Sequence, residues 1–222
     1  MHRDAPILCL VTDRRRLVAD GSSFDAVRHQ LGNLAREAVR AGVDLIQVRE
    51  DGLETAQLVD LVHDLVEIAD GAATRVVVND RLDVALACGA DGVHLRASSF
   101  PPRVVRPTVP ERFLIGRSVH DVDEAREHAA AVDYLVVGTV FPTGSKPAAT
   151  RWLGAAGLEA IVKAVRVPVL AIGGIARDRV AQVAAAGAAG IAAIGLFLPD
   201  VGPLAETVDS VRLEFDSGRS AF

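Results

Sequence analysis

Cysteines, long apolar runs and an excess of positive charge are scarce or missing in this chain of 222 residues. Its two cysteines, Cys9 and Cys88, lie in or beside apolar segments, so we expect free thiols in a reducing compartment. No apolar run reaches the roughly 18 residues that a membrane-spanning helix requires, and the first run is too short for a secretion signal. A net charge of −5 gives no reason to expect nucleic acid or a membrane surface as a partner. These absences predict a soluble, cytoplasmic protein.

Aromatic residues and lysine are also rare. Only 4% of the residues are aromatic while 50% are hydrophobic, so Val, Ile, Leu and Ala must fill the core. The layers inside a (β/α)₈ barrel prefer the same residues. Lys146 and Lys163 are the only lysines. Lys163 lies in an amphipathic helical pattern, whereas Lys146 lies in a Gly/Pro-rich loop and is a candidate ligand contact.

Short β-branched runs alternate with Ala-, Leu- and Arg-rich helical patterns along the chain, which predicts βα units around a parallel sheet. The predicted strands cover 7–12, 44–49, 75–79, 92–95, 113–119, 134–140, 167–172 and 190–196. The predicted helices cover 25–41, 54–70, 81–88, 121–130, 155–165, 177–186 and 203–216, with a weak one at 101–108. The length suits a single-domain α/β fold, a TIM (β/α)₈ barrel over residues 1–222.

Polar side chains follow these strands at the point where each one ends. Carboxyl ends of parallel strands build the active site of such a barrel, so the pattern indicates an enzyme. The candidates are Arg49, Asn79, Asp80, Ser118, His120, Thr143, Ser145 and Lys146. Asp44 and Asp91 precede strands at the opposite end, and we interpret them as structural.

Glycines close the last two strands at Gly173, Gly174 and Gly195. Loops after strands seven and eight often bind phosphate through backbone N–H groups, and a Cβ would hold the phosphate away. The alternative is that these glycines only relieve crowding. The neighbouring loop over 142–147 suits an anionic ligand under a movable lid, although a plain exposed loop has the same composition.

Two strand-end residues each admit a functional and a structural interpretation. Asp80 can bind Mg²⁺, cap the next helix or pair with an arginine. His120 suits general acid–base work because an imidazole titrates near neutrality, but a histidine at a helix start also bonds to backbone. We interpret His94 as a barrel histidine more readily than as a catalytic one, and His128 as a surface residue.

Taken in order, these strand-end segments resemble the thiamine-phosphate-synthase superfamily. The similarity runs from Leu10 to about Phe197. The matching segments are Ile-Gln-Val-Arg-Glu at 46–50, Val-Asn-Asp-Arg at 78–81, Ala-Asp-Gly-Val-His-Leu at 90–95, Ile-Gly-Arg-Ser-Val-His at 115–120, Phe-Pro-Thr-Gly-Ser-Lys at 141–146 and Ala-Ile-Gly-Gly-Ile at 171–175.

The superfamily has two branches. The synthase joins a pyrimidine diphosphate to a thiazole phosphate and uses Mg²⁺ to stabilise the departing pyrophosphate. The TenI-type branch includes thiazole tautomerases, which aromatise a thiazole carboxylate phosphate by a proton shift and need no metal. Three residues here depart from the synthase pattern. Asp51 replaces a lysine that holds the diphosphate, Ser99 replaces an aspartate that binds Mg²⁺, and Gly195 replaces a serine.

The departures at Asp51 and Ser99 favour a thiazole tautomerase without a cofactor. In that hypothesis His120 moves the proton, Ser118 orients the substrate, and the glycine loops hold its phosphate. The substrate carboxylate has three candidate contacts: Arg49, Arg96 and Lys146. Two alternatives stay open: a Mg²⁺-dependent synthase with Asp80 as a metal ligand, and a regulatory barrel that binds thiazole or thiamine phosphate without turnover. The resemblance is also compatible with a homodimer.

Overall fold

The computed structural model describes residues 5–144 and 152–219. Within these residues, eight parallel strands pair in chain order, and β8 pairs with β1 to close the barrel. The strands are β1 Ile7–Val11, β2 Leu45–Val48, β3 Arg75–Asn79, β4 Gly92–Leu95, β5 Leu114–Val119, β6 Tyr134–Val137, β7 Val169–Ile172 and β8 Gly190–Ala193. The helices are α1 Phe24–Ala41, α2 Thr55–Ala69, α3 Leu82–Ala87, α4 Pro102–Val105, α5 Val122–His128, α6 Gly154–Ala164, α7 Arg177–Ala185 and α8 Leu204–Arg219. The predicted TIM barrel is confirmed.

Strands β6 and β8 are shorter than their apolar patterns predict. Val140 is fully buried, yet it belongs to a loop whose N–H groups at Val140 and Phe141 donate to Ile172 O and Gly173 O, each at 3.0 Å. Gly195–Phe197 forms a 3₁₀ turn, and Phe197 is buried there. An apolar run does not distinguish a strand from a buried turn, because both place their side chains in the core.

Two layers of apolar side chains stabilise the barrel. The larger layer lies between the strands and the surrounding helices. A smaller cluster fills the interior and includes Cys9, Val77, Tyr134 and Leu170. Both cysteines are free, and burial raises the pKa of Cys9 to about 12. In the described part of the chain, no helix has the length and apolar character needed to span a membrane.

Aspartates at the amino ends of the strands are structural, as predicted for Asp44 and Asp91. Each one precedes an even-numbered strand and accepts a hydrogen bond from a backbone N–H at the start of the preceding strand. The pairs are Asp44 with Leu8 N (3.0 Å), Asp91 with Val76 N (2.8 Å) and Asp133 with Ile115 N (2.7 Å). These carboxylates also pair with Arg212, Arg75 and Arg106, respectively. They stabilise the barrel at the amino ends of its strands, and the candidate functional residues lie at the carboxyl ends.

Candidate active site

The loops after β2, β3 and β4 bring charged side chains together at the carboxyl ends of the strands. Nη2 of Arg96 donates to Asp51 Oδ1, and its Nε lies 3.8 Å from Asp80 Oδ2. Arg49 Nη2 lies 3.6 Å from Asp51 Oδ2. With its amide oxygen toward Arg96, Asn79 accepts from Nε at 3.0 Å and from Nη2 at 3.1 Å. We call these five residues the charged cluster.

Asp80 forms hydrogen bonds both to strand β4 and to the loop that follows it. Its backbone has φ +62°, and its N–H donates to His94 O at 2.8 Å. The Ser99 hydroxyl donates to Asp80 Oδ1 and accepts from the backbone N–H of Arg96 at 2.8 Å. The N-cap of α3 is Arg81, so the helix-capping interpretation of Asp80 is wrong, whereas the arginine pair is present. The metal role stays a prediction.

Magnesium is the metal that the resemblance implies. Whether the charged cluster fits this ion depends on the balance of its positive and negative side chains. Arg49 and Arg96 carry two positive charges, and Asp51 and Asp80 carry two negative ones, so the cluster is close to neutral. A diphosphate arriving alone would find no excess positive charge here. Mg²⁺ usually binds one or two protein carboxylates and completes its shell with phosphate oxygens and water. The carboxylate of Asp80 beside the Ser99 hydroxyl therefore fits an ion that arrives with a diphosphate.

Glu50 anchors the loop that follows β1, a contact that the sequence analysis did not anticipate. Its side chain is 1% exposed, and both carboxylate oxygens accept from Arg14 N at 3.1 Å. Arg14 Nη1 adds a bond of 3.2 Å to Oε2. Burial raises the pKa of Glu50, and hydrogen bonds from Thr12 and Arg14 oppose that shift. The β1 loop is therefore pinned to the end of β2.

Arg117 on β5 holds the loop that carries Ser99. The residue is 4% exposed, and its guanidinium donates to Ala97 O at 2.8 Å and to Ser99 O and Phe100 O at 3.2 Å each. Burial lowers its pKa. His128 Nε2 lies 3.5 Å from the same guanidinium and is buried, so the surface interpretation of His128 is wrong. Arg117 was not among the candidates from the sequence, although its charge within an apolar strand could have indicated a functional or structural role.

Ser118 meets His94 just below the mouth of the barrel. His94 Nε2 lies 2.9 Å from Ser118 Oγ, and the imidazole stacks on Tyr134 with ring centroids 5.7 Å apart. Burial, with a smaller effect of the charge on Arg117, lowers the pKa of His94 to about 3. A ring that resists protonation this strongly is a poor general base. His94 is therefore a neutral partner that orients Ser118, in line with the barrel-histidine interpretation.

The buried neutral His94 should make the fold sensitive to acid. Its folded-state pKa lies below the ordinary value of 6.5, so the unfolded chain binds the proton more readily between about pH 6.5 and pH 3. Stability conferred by the neutral ring is thus lost as the pH falls through this window. Between pH 7.5 and pH 5, the free energy of unfolding should fall by about 2 kcal/mol more in wild type than in His94→Gln.

Urea unfolding at a series of pH values would measure this difference. His63→Gln is the matched control, because His63 is exposed on α2. It should keep the acid sensitivity of the wild type. Equal pH profiles for wild type and His94→Gln would contradict the assignment.

His120 lies exposed directly after β5. Its Nδ1 is 2.5 Å from Gly138 O, and its backbone N–H donates to Glu124 Oε2 at 2.7 Å. Because a carbonyl oxygen only accepts, Nδ1 must carry the proton, and Nε2 of the neutral ring keeps its lone pair. The predicted backbone bond is therefore present, and it leaves a nitrogen suited to accept a proton.

Gly173 and Gly174 let the β7 loop pack against the β6 loop. Their φ angles are +95° and +64°. A Cβ on Gly173 would lie 2.2 Å from Thr139 Cγ2, and one on Gly174 would lie 2.4 Å from Pro142 O. Crowding thus accounts for both glycines, while phosphate binding stays a prediction. Gly195 has no such constraint, since the nearest atom to a Cβ there would be Arg16 Nη2 at 4.0 Å.

The loop after β6 is described only in part. Thr143 is half-buried and follows Pro142, whose carbonyl oxygen lies against Gly174 in the β7 loop. Ser145 and Lys146 lie outside the described residues.

Comparison with known proteins agrees with the resemblance seen in the sequence. The model of the thiamine monophosphate synthase family, TMP-TENI, matches residues 9–197. The thiamine-phosphate synthase of Methanoculleus marisnigri is 46% identical over 163 residues, covering 73% of this chain and 77% of that protein. That of Methanoregula boonei is 40% identical over 188 residues, covering 83% and 86%. The TenI branch is not distinguished from the synthase branch by these matches.

Solved structures agree with the sequence relatives. Thiamine phosphate pyrophosphorylase from Pyrococcus furiosus superimposes with a TM-score of 0.78 at 31% identity, covering 96% of both chains. A 3-hexulose-6-phosphate synthase from Salmonella typhimurium, at 15% identity and a TM-score of 0.67, shares the fold alone. Family model, relatives and barrel geometry together show that this chain belongs to the thiamine monophosphate synthase family, TMP-TENI.

Proposed function

We propose that this protein is a thiamine-phosphate synthase, which couples a pyrimidine diphosphate to a thiazole phosphate. The observation that carries the proposal is the position of two separate sets of candidate anion-binding groups at the carboxyl ends of the strands. The charged cluster lies after β2–β4, and the glycine loops lie after β7 and β8. In a closed barrel of eight strands in chain order, β3 and β7 lie on opposite sides. Two sets facing one mouth suit two phosphorylated substrates.

The structure also weakens one argument for the tautomerase. The sequence placed the negative charge of Asp51 where a synthase has a lysine. Asp51 is in contact with both Arg49 and Arg96, so its charge is neutralised. The curated relatives carry the synthase name, and they favour the alternative over the tautomerase that we preferred from the sequence.

In this proposal, the chain's own residues position the two substrates. Arg49, Arg96 and Asn79 donate to the diphosphate, while backbone N–H groups of the glycine loops hold the thiazole phosphate. Asp80 and Ser99 would hold Mg²⁺, which neutralises charge on the departing diphosphate. The C–O bond from the pyrimidine substrate to the diphosphate breaks with its electron pair leaving on the diphosphate. The thiazole ring nitrogen donates its lone pair to the same carbon and forms the new C–N bond.

A thiazole tautomerase is the second candidate, and it rests on His120. The bond from Nδ1 to Gly138 O leaves Nε2 free to take a ring proton. Ser99 in place of a second carboxylate points the same way, because a proton shift needs no metal.

Incubation with each substrate set, with Mg²⁺ or with EDTA, tests the proposal by mass analysis of the products. A synthase should form thiamine phosphate from the diphosphate and the thiazole phosphate, and EDTA should abolish it. Turnover of the thiazole carboxylate phosphate alone, unaffected by EDTA, would favour the tautomerase. Binding without product from either set would identify a regulatory barrel and reject both activities.

A further inference from the structure

Arg16 lies at the mouth of the barrel on a rigid turn. It ends the 3₁₀ turn Arg14–Arg16, and the first residue of that turn is bonded to the buried Glu50 through both backbone and side chain. Asp13 caps the turn by accepting from Arg15 N at 3.2 Å. The turn is therefore anchored at its start, and its last side chain projects from a fixed base.

The Arg16 guanidinium lies beside the loop after β8. A Cβ at Gly195 would be 4.0 Å from Arg16 Nη2, and the arginine is exposed. Three other arginines at this end are engaged: Arg49 and Arg96 with Asp51, and Arg117 with loop carbonyls. Within residues 5–144 and 152–219, the Arg16 guanidinium has no ion pair or side-chain hydrogen bond. Its positive charge is available to a ligand.

Backbone donors are available in the loops after β7 and β8, and Gly195 in the β8 loop lies beside Arg16. Among the described residues, the N–H groups of Gly173, Gly174 and Gly195 donate to no backbone acceptor. Arg179 Nη1 donates to Gly174 O at 3.0 Å, and its guanidinium stacks on Phe141 with 4.9 Å to the ring centroid. Arg179 thus braces the glycine loop instead of serving a ligand. Backbone N–H groups that have no acceptor can donate to phosphate oxygens, and a nearby cation strengthens the binding of the anion.

We propose that Arg16 is the cation that binds a phosphate monoester held by the amides of the β7 and β8 loops. Identifying that monoester as the thiazole phosphate rests on the proposed function. The Arg16 guanidinium donates to the phosphate oxygens, and the absence of a side chain at Gly195 lets the phosphate approach both Arg16 and the backbone. Arg16 thereby selects the phosphorylated thiazole over its alcohol.

Calorimetric titration of Arg16→Gln with thiazole phosphate tests this role. A hydrogen bond to a charged group contributes about 1.5–3 kcal/mol, so affinity should fall by roughly 10–100-fold. Affinity for the dephosphorylated thiazole alcohol should stay within about twofold of wild type. Arg15→Gln is the control, because it removes an equal charge from the same turn. Wild-type affinity for thiazole phosphate in Arg16→Gln would overturn the inference.

A second titration with inorganic phosphate separates this inference from the proposed function. If wild type binds inorganic phosphate and Arg16→Gln binds it at least about tenfold more weakly, the phosphate site stands even where thiazole phosphate fails to bind. That result would reject the proposed substrate alone. If wild type binds neither compound, the inference about Arg16 is overturned as well. Thermal unfolding of both variants verifies that they fold.

Discussion

Replacing Asp80 with asparagine should lower the rate of coupling by about 10²–10³-fold at saturating Mg²⁺, the size of effect seen when one electrostatic group is removed from an active site. Asp80 accepts a hydrogen bond from the Ser99 hydroxyl. In the proposed synthase this carboxylate would hold the metal–diphosphate complex, and asparagine lacks its charge. Asparagine tolerates the backbone at φ +62° and has nearly the same shape. The fold should therefore survive the change.

The same substitution should affect binding in the opposite direction. Without Asp80, the charged cluster has two arginines and one remaining aspartate, Asp51. Its net charge becomes positive, so pyrophosphate should bind more tightly than to wild type when Mg²⁺ is absent. Calorimetric titration with pyrophosphate, carried out in EDTA and in Mg²⁺, would detect this inversion.

Asp51→Asn is the matched control, since Asp51 contacts the same Arg96 but not Ser99. It makes the same change in charge, and its rate should fall by less than about tenfold. Equal losses in the two variants would show that net charge alone matters and that Asp80 has no special role. Undiminished coupling in Asp80→Asn would remove Asp80 from the site.

The fold was predictable because its signals are local. Alternating strand and helix patterns placed all eight strands, and the Asp residues at the amino ends were correctly assigned to structure. The errors occurred at the mouth, where β6 stops at Val137 and β8 at Ala193. There the chain leaves the sheet but stays in the core, and hydrophobicity alone does not report the change.

The site was predictable in position but not in pairing. Strand ends converge by topology, so Arg49 and Asp80 were correctly placed at the mouth. Their electrostatics depend on Arg96, which contacts Asp51 across 45 residues of sequence. No local pattern encodes such a contact. His128 was assigned to the surface for the same reason, because its neighbour Arg117 is on the preceding strand.

The role of His120 separates the two candidate activities. In a tautomerase, replacing His120 with alanine removes the base, and proton transfer should slow by about 10²–10⁴-fold. Coupling replaces a diphosphate by a nucleophile that has its own lone pair, so no base is required. The synthase rate in His120→Ala should therefore stay within about tenfold of wild type. Parallel assays of both reactions on one preparation would measure the contrast.

His120→Gln distinguishes a base from a residue that only positions the loop. The glutamine amide can still donate to Gly138 O, as Nδ1 does in the wild type, but it has no nitrogen that accepts a proton. If His120 is a base, both variants should lose tautomerisation equally while coupling persists. Recovery of tautomerisation in His120→Gln would show that the hydrogen bond to Gly138, and not proton transfer, is what His120 supplies. Loss of coupling in both variants would instead place the imidazole against the diphosphate substrate, and the separation of roles argued from its geometry would be wrong.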